Sequence, residues 1–294
     1  ALISGNQYVG GIVGSSSAPI TGCKNQAQIT GSGNYTGGIT GWCSAPVQDC
    51  NNKANIIATN YVGGIVGSAR ALVDGCSNEA NITGTQFVGG VAGVGEASGS
   101  LNNCYHAGLV SSANFVGGVV GYYSNSNGFI SNCFSYDAGI PFANTIANNA
   151  ISVNNYSLYA GDTSKGVTPK TTEEFASLEL AWLLDANSKE IRTFDWTKGA
   201  QYPVFSTQES KVIYRVIAEA EYGNAADGGS VIVNADGAVA YGWAGDAYSI
   251  KITQNAPDAY KLTFKGIPTD ATEAPAGTYS GTLSEDILVS YVFE

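Results

Sequence analysis

Paired carboxylates are the groups with which a carbohydrate-active enzyme would work, because glycoside hydrolysis needs two that face each other. The first 160 residues contain only five acidic side chains, Asp49, Asp74, Glu79, Glu96 and Asp137. Asp49 and Asp74 precede cysteines of a repeated pattern by one or two residues, and no third acidic residue shares their phase. We therefore predict that the chain is not an enzyme. A polysaccharide-active enzyme is the less favoured alternative.

Aromatic residues suggest a second kind of chemistry, since their rings can stack on sugars. Trp42 and Tyr122 follow a glycine segment at the same repeat position, and Tyr123 lies beside Tyr122. Tyr105, like Phe134, directly follows a cysteine. We predict ligand binding by Trp42, Tyr105, Tyr122 and Tyr123. The alternative is that these rings only pack against their neighbours at corners of the chain.

Five of the six cysteines recur at one position of the pattern: Cys23, Cys50, Cys76, Cys104 and Cys133. In stacked strands their Cα atoms would lie about 4.8 Å apart with parallel Cβ vectors, which suits a disulfide poorly. We predict a buried ladder of free thiols. A disulfide between Cys43 and Cys50 remains an open alternative. The chain has no CxxC motif and a single histidine, His106, so we expect no metal or other cofactor.

The elements that position these residues belong to a repeat. A seven-residue segment of the type YVGGIVG begins at intervals of 27, 26, 26 and 28 residues. A cysteine strand and then an A-x-I-T-G strand follow it in the best-preserved copies. The five copies are Tyr8–Gly14, Tyr35–Gly41, Tyr61–Gly67, Phe87–Gly93 and Phe115–Gly121.

This repeat predicts an all-β fold, a parallel β-helix with three-strand coils of about 26 residues over residues 1–160. Gly, Asn, Thr and Val dominate, and no apolar period of 3.6 residues supports a helix. The glycine segment is followed by a strand rather than by a helix N-terminus, so it is not a phosphate-binding loop. We interpret its glycines as positions where the backbone passes close to neighbouring coils.

A flat face of Thr and Ser side chains is a third candidate surface, because such arrays order water in some ice-binding proteins. Ile57 and Val110 interrupt one of its two columns, and Thr is also a common exposed strand residue. Ice binding is therefore a minor alternative. The columns pair Thr30 with Ser32, Ile57 with Thr59, Thr83 with Thr85, and Val110 with Ser112.

Residues 161–206 are predicted to form a helical cap on the end of the coil stack. Thr171 and Glu174 form a capping-box pattern at the start of the apolar-periodic run Glu173–Asp185. We predict one helix there, with Phe175, Ala181 and other apolar residues along one face. Trp196 and the YPVF segment at Tyr202–Phe205 are expected to complete the seal.

Residues 207–294 are predicted to form a separate small antiparallel β domain, a β-sandwich or β-grasp-like module, because apolar and polar residues alternate in several runs as they do in half-buried antiparallel strands. Gly, Asp, Asn and Pro fill the connections between the runs. The predicted strands are Val212–Ala220, Ser230–Asn234, Tyr248–Thr253, Tyr260–Lys265 and Ile287–Glu294.

The repeats resemble the GLUG motif of bacterial surface proteins. The resemblance covers about residues 1–206 and implies a surface or secreted protein with adhesin-like roles and no catalytic residues. The C-terminal order GGSVIV, AGDAYSIKIT, AYKLTF and VSYVFE is similar to internalin B-repeat-like domains, and an immunoglobulin-like sandwich stays open. The matching quartets are Gly11–Gly14, Gly38–Gly41, Gly64–Gly67, Gly90–Gly93 and Gly118–Gly121.

Composition limits the classes of partner. The net charge of −11 argues against nucleic acid, which requires clustered Lys and Arg. No apolar run approaches the length of a membrane span. ALISGNQY aligns with ANITGTQF, so we expect a longer multidomain chain with a further coil upstream. We expect an extracellular or cell-surface bacterial adhesin whose partner is a host protein or glycan, and a purely structural stalk is the alternative.

Overall fold

A computed structural model describes residues 1–188, 195–208, 212–221, 224–234, 237–255, 259, 261–274 and 276–294. The chain divides into two compact units. The first contains residues 1–175 with Asn187 and Ser188, and the second contains residues 176–186 and the described residues from 195 onward. This boundary differs from the predicted segments 1–160, 161–206 and 207–294, because the predicted cap is shared between the two units.

The first unit is a parallel β-solenoid of about five turns, which confirms the predicted fold class. Each coil contributes one short strand to each of five parallel sheets, rather than the three predicted strands per coil. Bends at the glycine segment and at the cysteine divide the predicted runs. Sheet A contains Leu2–Gly5, Gln28–Gly31, Ile56–Ile57, Ile82–Thr83 and Val110–Ser111. Sheet B contains Val9–Gly10, Asn34–Gly37, Asn60–Gly63, Gln86–Gly89 and Asn114–Gly117.

The remaining three sheets continue into the less regular end of the solenoid. Sheet C contains Val13–Ser16, Thr40–Cys43, Val66–Ala69, Ala92–Gly95, Val120–Tyr123 and Ala143–Ile146. Sheet D contains Ile20–Thr21, Val47–Gln48, Leu72–Asp74, Ser100–Asn102, Phe129–Ser131 and Ile151–Val153. Sheet E contains Lys24–Asn25, Asn51–Asn52, Ser77–Asn78, Tyr105–His106, Phe134–Ser135, Asn155–Ser157 and Val167–Pro169.

The interior consists of columns of equivalent residues from successive coils. In sheet A, for example, Ile29, Ile56, Ile82 and Val110 are paired in register and buried. The glycine segments allow this close stacking. A Cβ atom on Gly64 would lie 2.0 Å from the carbonyl oxygen of Gly90 in the next coil. These glycines are therefore structural, as the sequence predicts.

The corners between sheets differ in how much their length varies from coil to coil. The corner between sheets D and E holds two residues in each of the first five coils, a left-handed residue followed by cysteine. The left-handed residues are Gly22, Asp49, Gly75, Asn103 and Asn132, types that tolerate this backbone.

The corner between sheets C and D instead lengthens along the stack. Three residues separate Ala69 from Val73, and five separate the equivalent residues Gly95 and Leu101. Six residues separate the next equivalent pair, Tyr123 and Ile130.

The predicted capping box is present. The Thr171 backbone N–H donates to Glu174 Oε2 (2.8 Å), and the Glu174 N–H donates to Thr171 Oγ1 (3.2 Å). The helix that follows is only Thr172–Phe175. Its Phe175 ring packs edge-on against Phe134. Since Cys133 lies in the interior cluster and neighbouring strand residues alternate in direction, Phe134 lies on the outer face of sheet E. Phe175 therefore covers the side of the solenoid.

A second helix, Leu178–Ala186, replaces the predicted continuation of the first. Ser177 interrupts the predicted helix because its Oγ accepts a hydrogen bond from the Leu180 N–H (3.1 Å), which caps a new helix. This helix belongs to the second unit. The Asp185 carboxylate accepts a hydrogen bond from the Trp196 N–H (2.9 Å). Trp196 and the YPVF residues, which were expected to seal the solenoid, lie in the second unit as well.

The second unit is built from two four-stranded sheets and a hairpin of Asp195–Lys198 with Pro203–Ser206. Both sheets contribute to one core that includes Val216, Val231, Ile250 and Val289. One sheet has the order Val239–Trp243, Ile213–Ala220, Ile287–Phe293 and Leu262–Lys265. The other has the order Gly229–Val233, Ala247–Gln254, Thr278–Thr282 and Thr272–Glu273. A 3-10 helix, Ala226–Gly228, precedes the second of these sheets.

All five strands predicted in this region are present within one or two residues at each end, although Tyr260 lies outside the described residues. The structure adds Val239–Trp243, Thr272–Glu273 and Thr278–Thr282. Ile213–Ala220 and Ile287–Phe293 pair in parallel, whereas the alternating pattern had predicted antiparallel strands throughout.

Candidate functional site

Five aromatic side chains, one from each repeat, stack along sheet B. Successive ring centroids lie 5.3, 4.8, 5.0 and 4.7 Å apart, with ring planes inclined by 5° to 18°. This spacing is close to the step of about 4.8 Å between paired strands, so the stack follows from the repeat. We call these residues the aromatic column: Tyr8, Tyr35, Tyr61, Phe87 and Phe115.

Every residue of the aromatic column has a left-handed backbone, with φ between 51° and 64°. For a bulky side chain this conformation costs on the order of 1–3 kcal/mol. A glycine packs beneath the aromatic backbone, and a Cβ atom on Gly41 would lie 2.3 Å from the Tyr35 carbonyl oxygen. Because this costly geometry recurs in five coils, we infer that ring stacking and coil packing together offset its cost.

The aromatic column presents ring edges and hydroxyl groups. Each interior ring has a stacked neighbour on both sides, so its two faces are occupied. Tyr8 is 44% exposed, and the other four rings are partly buried. Burial, followed by the nearby carboxylate of Glu96, raises the pKa of Tyr35 above its ordinary value. The three tyrosines therefore place polar hydroxyl groups among the apolar ring edges of the column.

Tyr122 is oriented differently from the rings of the aromatic column. Its centroid lies 5.7 Å from that of Phe87 and 5.8 Å from that of Phe115, with interplanar angles of 67° and 80°. Its ring is partly exposed and does not stack in parallel with these two neighbours. Tyr122 can therefore offer a ring face where the column offers edges.

Trp42 and Tyr122 occupy the same column of sheet C, with Ser68 and Val94 between them. They are three coil steps apart, about 14 Å at the usual strand spacing. Trp42 is partly exposed, and Arg70 Cζ lies 5.8 Å from its ring centroid. Two aromatic residues thus flank a stretch of smaller side chains beside the aromatic column.

An ion pair lies between these two aromatic residues. Arg70 Nε is 3.7 Å from Glu96 Oε1, and the same carboxylate oxygen accepts a hydrogen bond from Ser68 Oγ (2.8 Å). The Arg70 and Glu96 side chains are 42% and 33% exposed, whereas Ser68 is fully buried. We call this group the Trp42–Tyr122 patch, defined as Trp42, Ser68, Arg70, Glu96 and Tyr122.

Two of the four predicted binding residues are buried, which corrects their assignment. Tyr105 is 3% exposed, and its hydroxyl donates to Glu79 Oε1 (3.1 Å). Tyr123 is fully buried, its hydroxyl donates to the Gly99 carbonyl (2.7 Å), and burial raises its pKa to about 12. Strand alternation turns Tyr123 inward where Tyr122 points outward. Only Trp42 and Tyr122 remain accessible to a ligand.

The two aspartates considered for catalysis are not equivalent in the structure. Asp74 is paired in register with Gln48, while Asp49 lies at the left-handed corner position one residue later. Asp74 is 7% exposed, and its Oδ1 accepts hydrogen bonds from Asn102 Nδ2 (3.0 Å) and Asn103 Nδ2 (2.9 Å). These contacts support a structural role for Asp74.

The predicted Thr and Ser face has a different register. Thr30, Ile57, Thr83 and Ser111 form its exposed column. Val110, which was assigned to this column, lies one residue earlier and is buried. Ile57 is 49% exposed and interrupts the column as predicted.

All six cysteines are free thiols. Four of the five ladder cysteines are buried and the fifth, Cys23, is partly buried, which agrees with the predicted thiol ladder. Cys43 lies outside the ladder, and burial raises its pKa to about 11. Among the described residues, no three His, Cys, Asp or Glu side chains are grouped so that they could hold a metal ion.

A second buried ladder consists of amide side chains. Asn25 Nδ2 donates to Asn52 Oδ1 (2.8 Å), and Asn52 Nδ2 donates to Asn78 Oδ1 (2.7 Å). The next step is Asn78 Nδ2 to His106 Nδ1 (2.8 Å). Burial lowers the pKa of His106 to about 4, and the weaker effect of Asp137 opposes this shift. Neutral His106 thus ends the asparagine ladder.

Comparison with known proteins identifies no relatives: no family model, curated protein or solved structure matches this chain. In the described part of the chain, no helix has the length and apolar character needed to cross a membrane. The candidate surface therefore depends on geometry alone. Sequence reasoning treated the opening aromatics as repeat markers and missed the aromatic column, although their constant spacing carried the signal.

Proposed function

We propose that this chain is a non-catalytic, adhesin-like protein of the bacterial cell surface or extracellular space, and that its solenoid displays a binding surface. The partner is a glycan or a protein of the host. The aromatic column is the observation that carries this proposal. It keeps five strained, partly exposed rings in line, and the Trp42–Tyr122 patch lies directly beside it.

Two further features fit this function. The repeats resemble the GLUG motif, which implies adhesin-like surface proteins. Binding also needs no carboxylate pair, and Asp74 is held by two asparagine amides. A polysaccharide-active enzyme remains a testable rival. Polysaccharide turnover that is abolished by Asp49→Asn or Asp74→Asn would contradict our proposal.

The test is binding of the fluorescently labelled chain to intact eukaryotic cells, measured by flow cytometry. We expect saturable binding that falls after the cells are treated with a glycosidase or a protease. Tyr61→Ala should weaken binding, because it interrupts the aromatic column at its centre. Ile57→Ala is the matched control, since it removes an exposed side chain from another face of the same solenoid.

A purely structural stalk is the second candidate. It is favoured by the thiol ladder, the asparagine ladder and the aromatic column, because their contacts between successive coils hold the coils in register. A stalk predicts no saturable cell binding and no effect of Tyr61→Ala beyond a loss of stability. The cell-binding measurement therefore separates the two functions.

A further inference from the structure

We propose that the Trp42–Tyr122 patch is the binding site for a short, neutral oligosaccharide. This inference rests on the proposed function and specifies its ligand. The aromatic column cannot provide stacking for sugars along its length, because its interior ring faces contact one another. Trp42 and Tyr122 are the partly exposed aromatic residues of the adjacent sheet C column, and Tyr122 is turned by 67° and 80° from its neighbours.

The length of the patch determines the size of the ligand. Trp42 and Tyr122 are separated by three coil steps, about 14 Å. A single sugar ring cannot contact both aromatic residues over this distance. A short chain of sugars can place its end rings on Trp42 and Tyr122 while its central part crosses the ion pair.

The polar groups between the two rings suit sugar hydroxyls, which both donate and accept hydrogen bonds. The Arg70 guanidinium provides only donors, and the Glu96 carboxylate provides only acceptors. Both are already positioned, because Ser68 Oγ donates to Glu96 and the Arg70 guanidinium packs near the Trp42 ring. A ligand therefore meets partly ordered groups, which lowers the entropic cost of binding.

Charge favours a neutral ligand. Arg70 and Glu96 neutralise each other within the patch. Residues 1–160 contain five acidic and three basic residues, so the solenoid carries a small net negative charge. An anionic glycan would be repelled by this surface and by the Glu96 carboxylate.

The test is isothermal titration calorimetry with the full chain. The probes are neutral trisaccharides of glucose, mannose or galactose, the corresponding monosaccharides, and a sialylated trisaccharide. We expect one or more neutral trisaccharides to bind more tightly than any monosaccharide or the sialylated probe. Trp42→Ala and Tyr122→Ala should each weaken binding by about tenfold, since each removes one stacking ring.

Control variants separate loss of the site from loss of the fold. Trp42→Phe should restore most of the affinity, and Ile57→Ala should leave it unchanged. Circular dichroism must show the same β spectrum for every variant.

Three results would overturn the assignment of the patch and leave a glycan-binding function standing. They are equal affinity for monosaccharides and trisaccharides, preference for the sialylated probe, and full affinity in both alanine variants. If no probe binds, the oligosaccharide proposal fails. Saturable cell binding that resists glycosidase but not protease would then keep the proposed display function, with a protein as partner.

Discussion

The solenoid and the C-terminal sandwich pair their β-strands in different ways. In the solenoid, residues one repeat apart always become neighbours, as Val62 and Val88 do. In the sandwich, the strand Ile213–Ala220 pairs with Val239–Trp243 on one side and with the distant Ile287–Phe293 on the other. Strand pairing in the solenoid thus follows from the repeat spacing, whereas each strand pair in the sandwich joins segments at a different separation in the sequence.

This difference determines how each unit responds to change. A buried column in the solenoid makes the same contact in successive coils, so a disturbance in one coil reaches both neighbours. The sandwich instead has one compact core formed by its two sheets. Equivalent substitutions should therefore cost more in the solenoid ladders than in open positions of the sandwich.

Gly64→Ala should have the largest effect. The new Cβ atom would lie 2.0 Å from the Gly90 carbonyl oxygen and 2.4 Å from Asn78 Cγ, so two coils must separate. We expect the free energy of unfolding to fall by more than about 3 kcal/mol, as measured by urea denaturation. Gly237→Ala in the sandwich is the control, because no atom lies within 4 Å of its Cβ position. Equal losses in both variants would show that coil stacking tolerates the added methyl group.

Acidification should destabilise the solenoid through His106. Burial lowers its folded-state pKa from 6.5 to about 4, so the unfolded chain takes up a proton first. The contribution to stability is complete above pH 6.5 and is lost as the pH falls to 4, by about 3 kcal/mol.

Urea denaturation at a series of pH values measures this loss. His106→Asn removes the titrating ring and continues the asparagine ladder, so it should reduce the pH dependence in this range. An unchanged pH profile in this variant would assign the titration to other groups.

Asn52→Leu should interrupt the asparagine ladder. It removes the acceptor of Asn25 and the donor to Asn78, both in buried positions. We expect a loss of about 2 kcal/mol in the free energy of unfolding. Asn114→Leu, on the exposed side of sheet B, should change it by less than about 0.5 kcal/mol. Similar losses in the two variants would mean that the buried asparagine ladder contributes no more to the free energy of unfolding than an exposed asparagine does.

Trp182→Phe should have the smallest effect and should act within the second unit. The Trp182 Nε1–H donates to Asp286 (3.1 Å), and the Arg215 guanidinium lies 4.2 Å from the ring centroid. Losing the hydrogen bond and weakening the cation–π contact should cost about 1 kcal/mol. Hydrogen exchange measured by mass spectrometry should show faster exchange in the sandwich strands and unchanged exchange in sheets A to D. Faster exchange in those sheets would contradict this assignment.

The repeat made most of the solenoid predictable from sequence. Constant spacing identified the coils, the thiol ladder and the structural role of the glycines, because each coil repeats the same strands and corners. Side-chain direction was less predictable where strands have only two to four residues. A shift of one residue separates buried Tyr123 from partly exposed Tyr122, and buried Val110 from exposed Ser111.

Long-range contacts account for the remaining errors. Tyr105 packs against Phe134, which Phe175 covers from outside the repeat, so the pattern of the coils gave no indication of their burial. The parallel pairing of Ile213–Ala220 with Ile287–Phe293 was missed for the same reason. Alternation identifies a strand but not its partner. In the aromatic column, by contrast, the regular spacing of the five aromatic residues was visible in the sequence. Only the stacking and exposure of their rings had to come from the structure.

The corner between sheets C and D has an evolutionary consequence. It grows from three residues between Ala69 and Val73 to six between Tyr123 and Ile130 without shifting the strands on either side. Arg70 and Glu96, two members of the Trp42–Tyr122 patch, begin two of these corners. Gene duplication can therefore copy the coil, and insertions can accumulate at this corner. A new specificity can arise there, or be grafted there in the laboratory, without redesign of the scaffold.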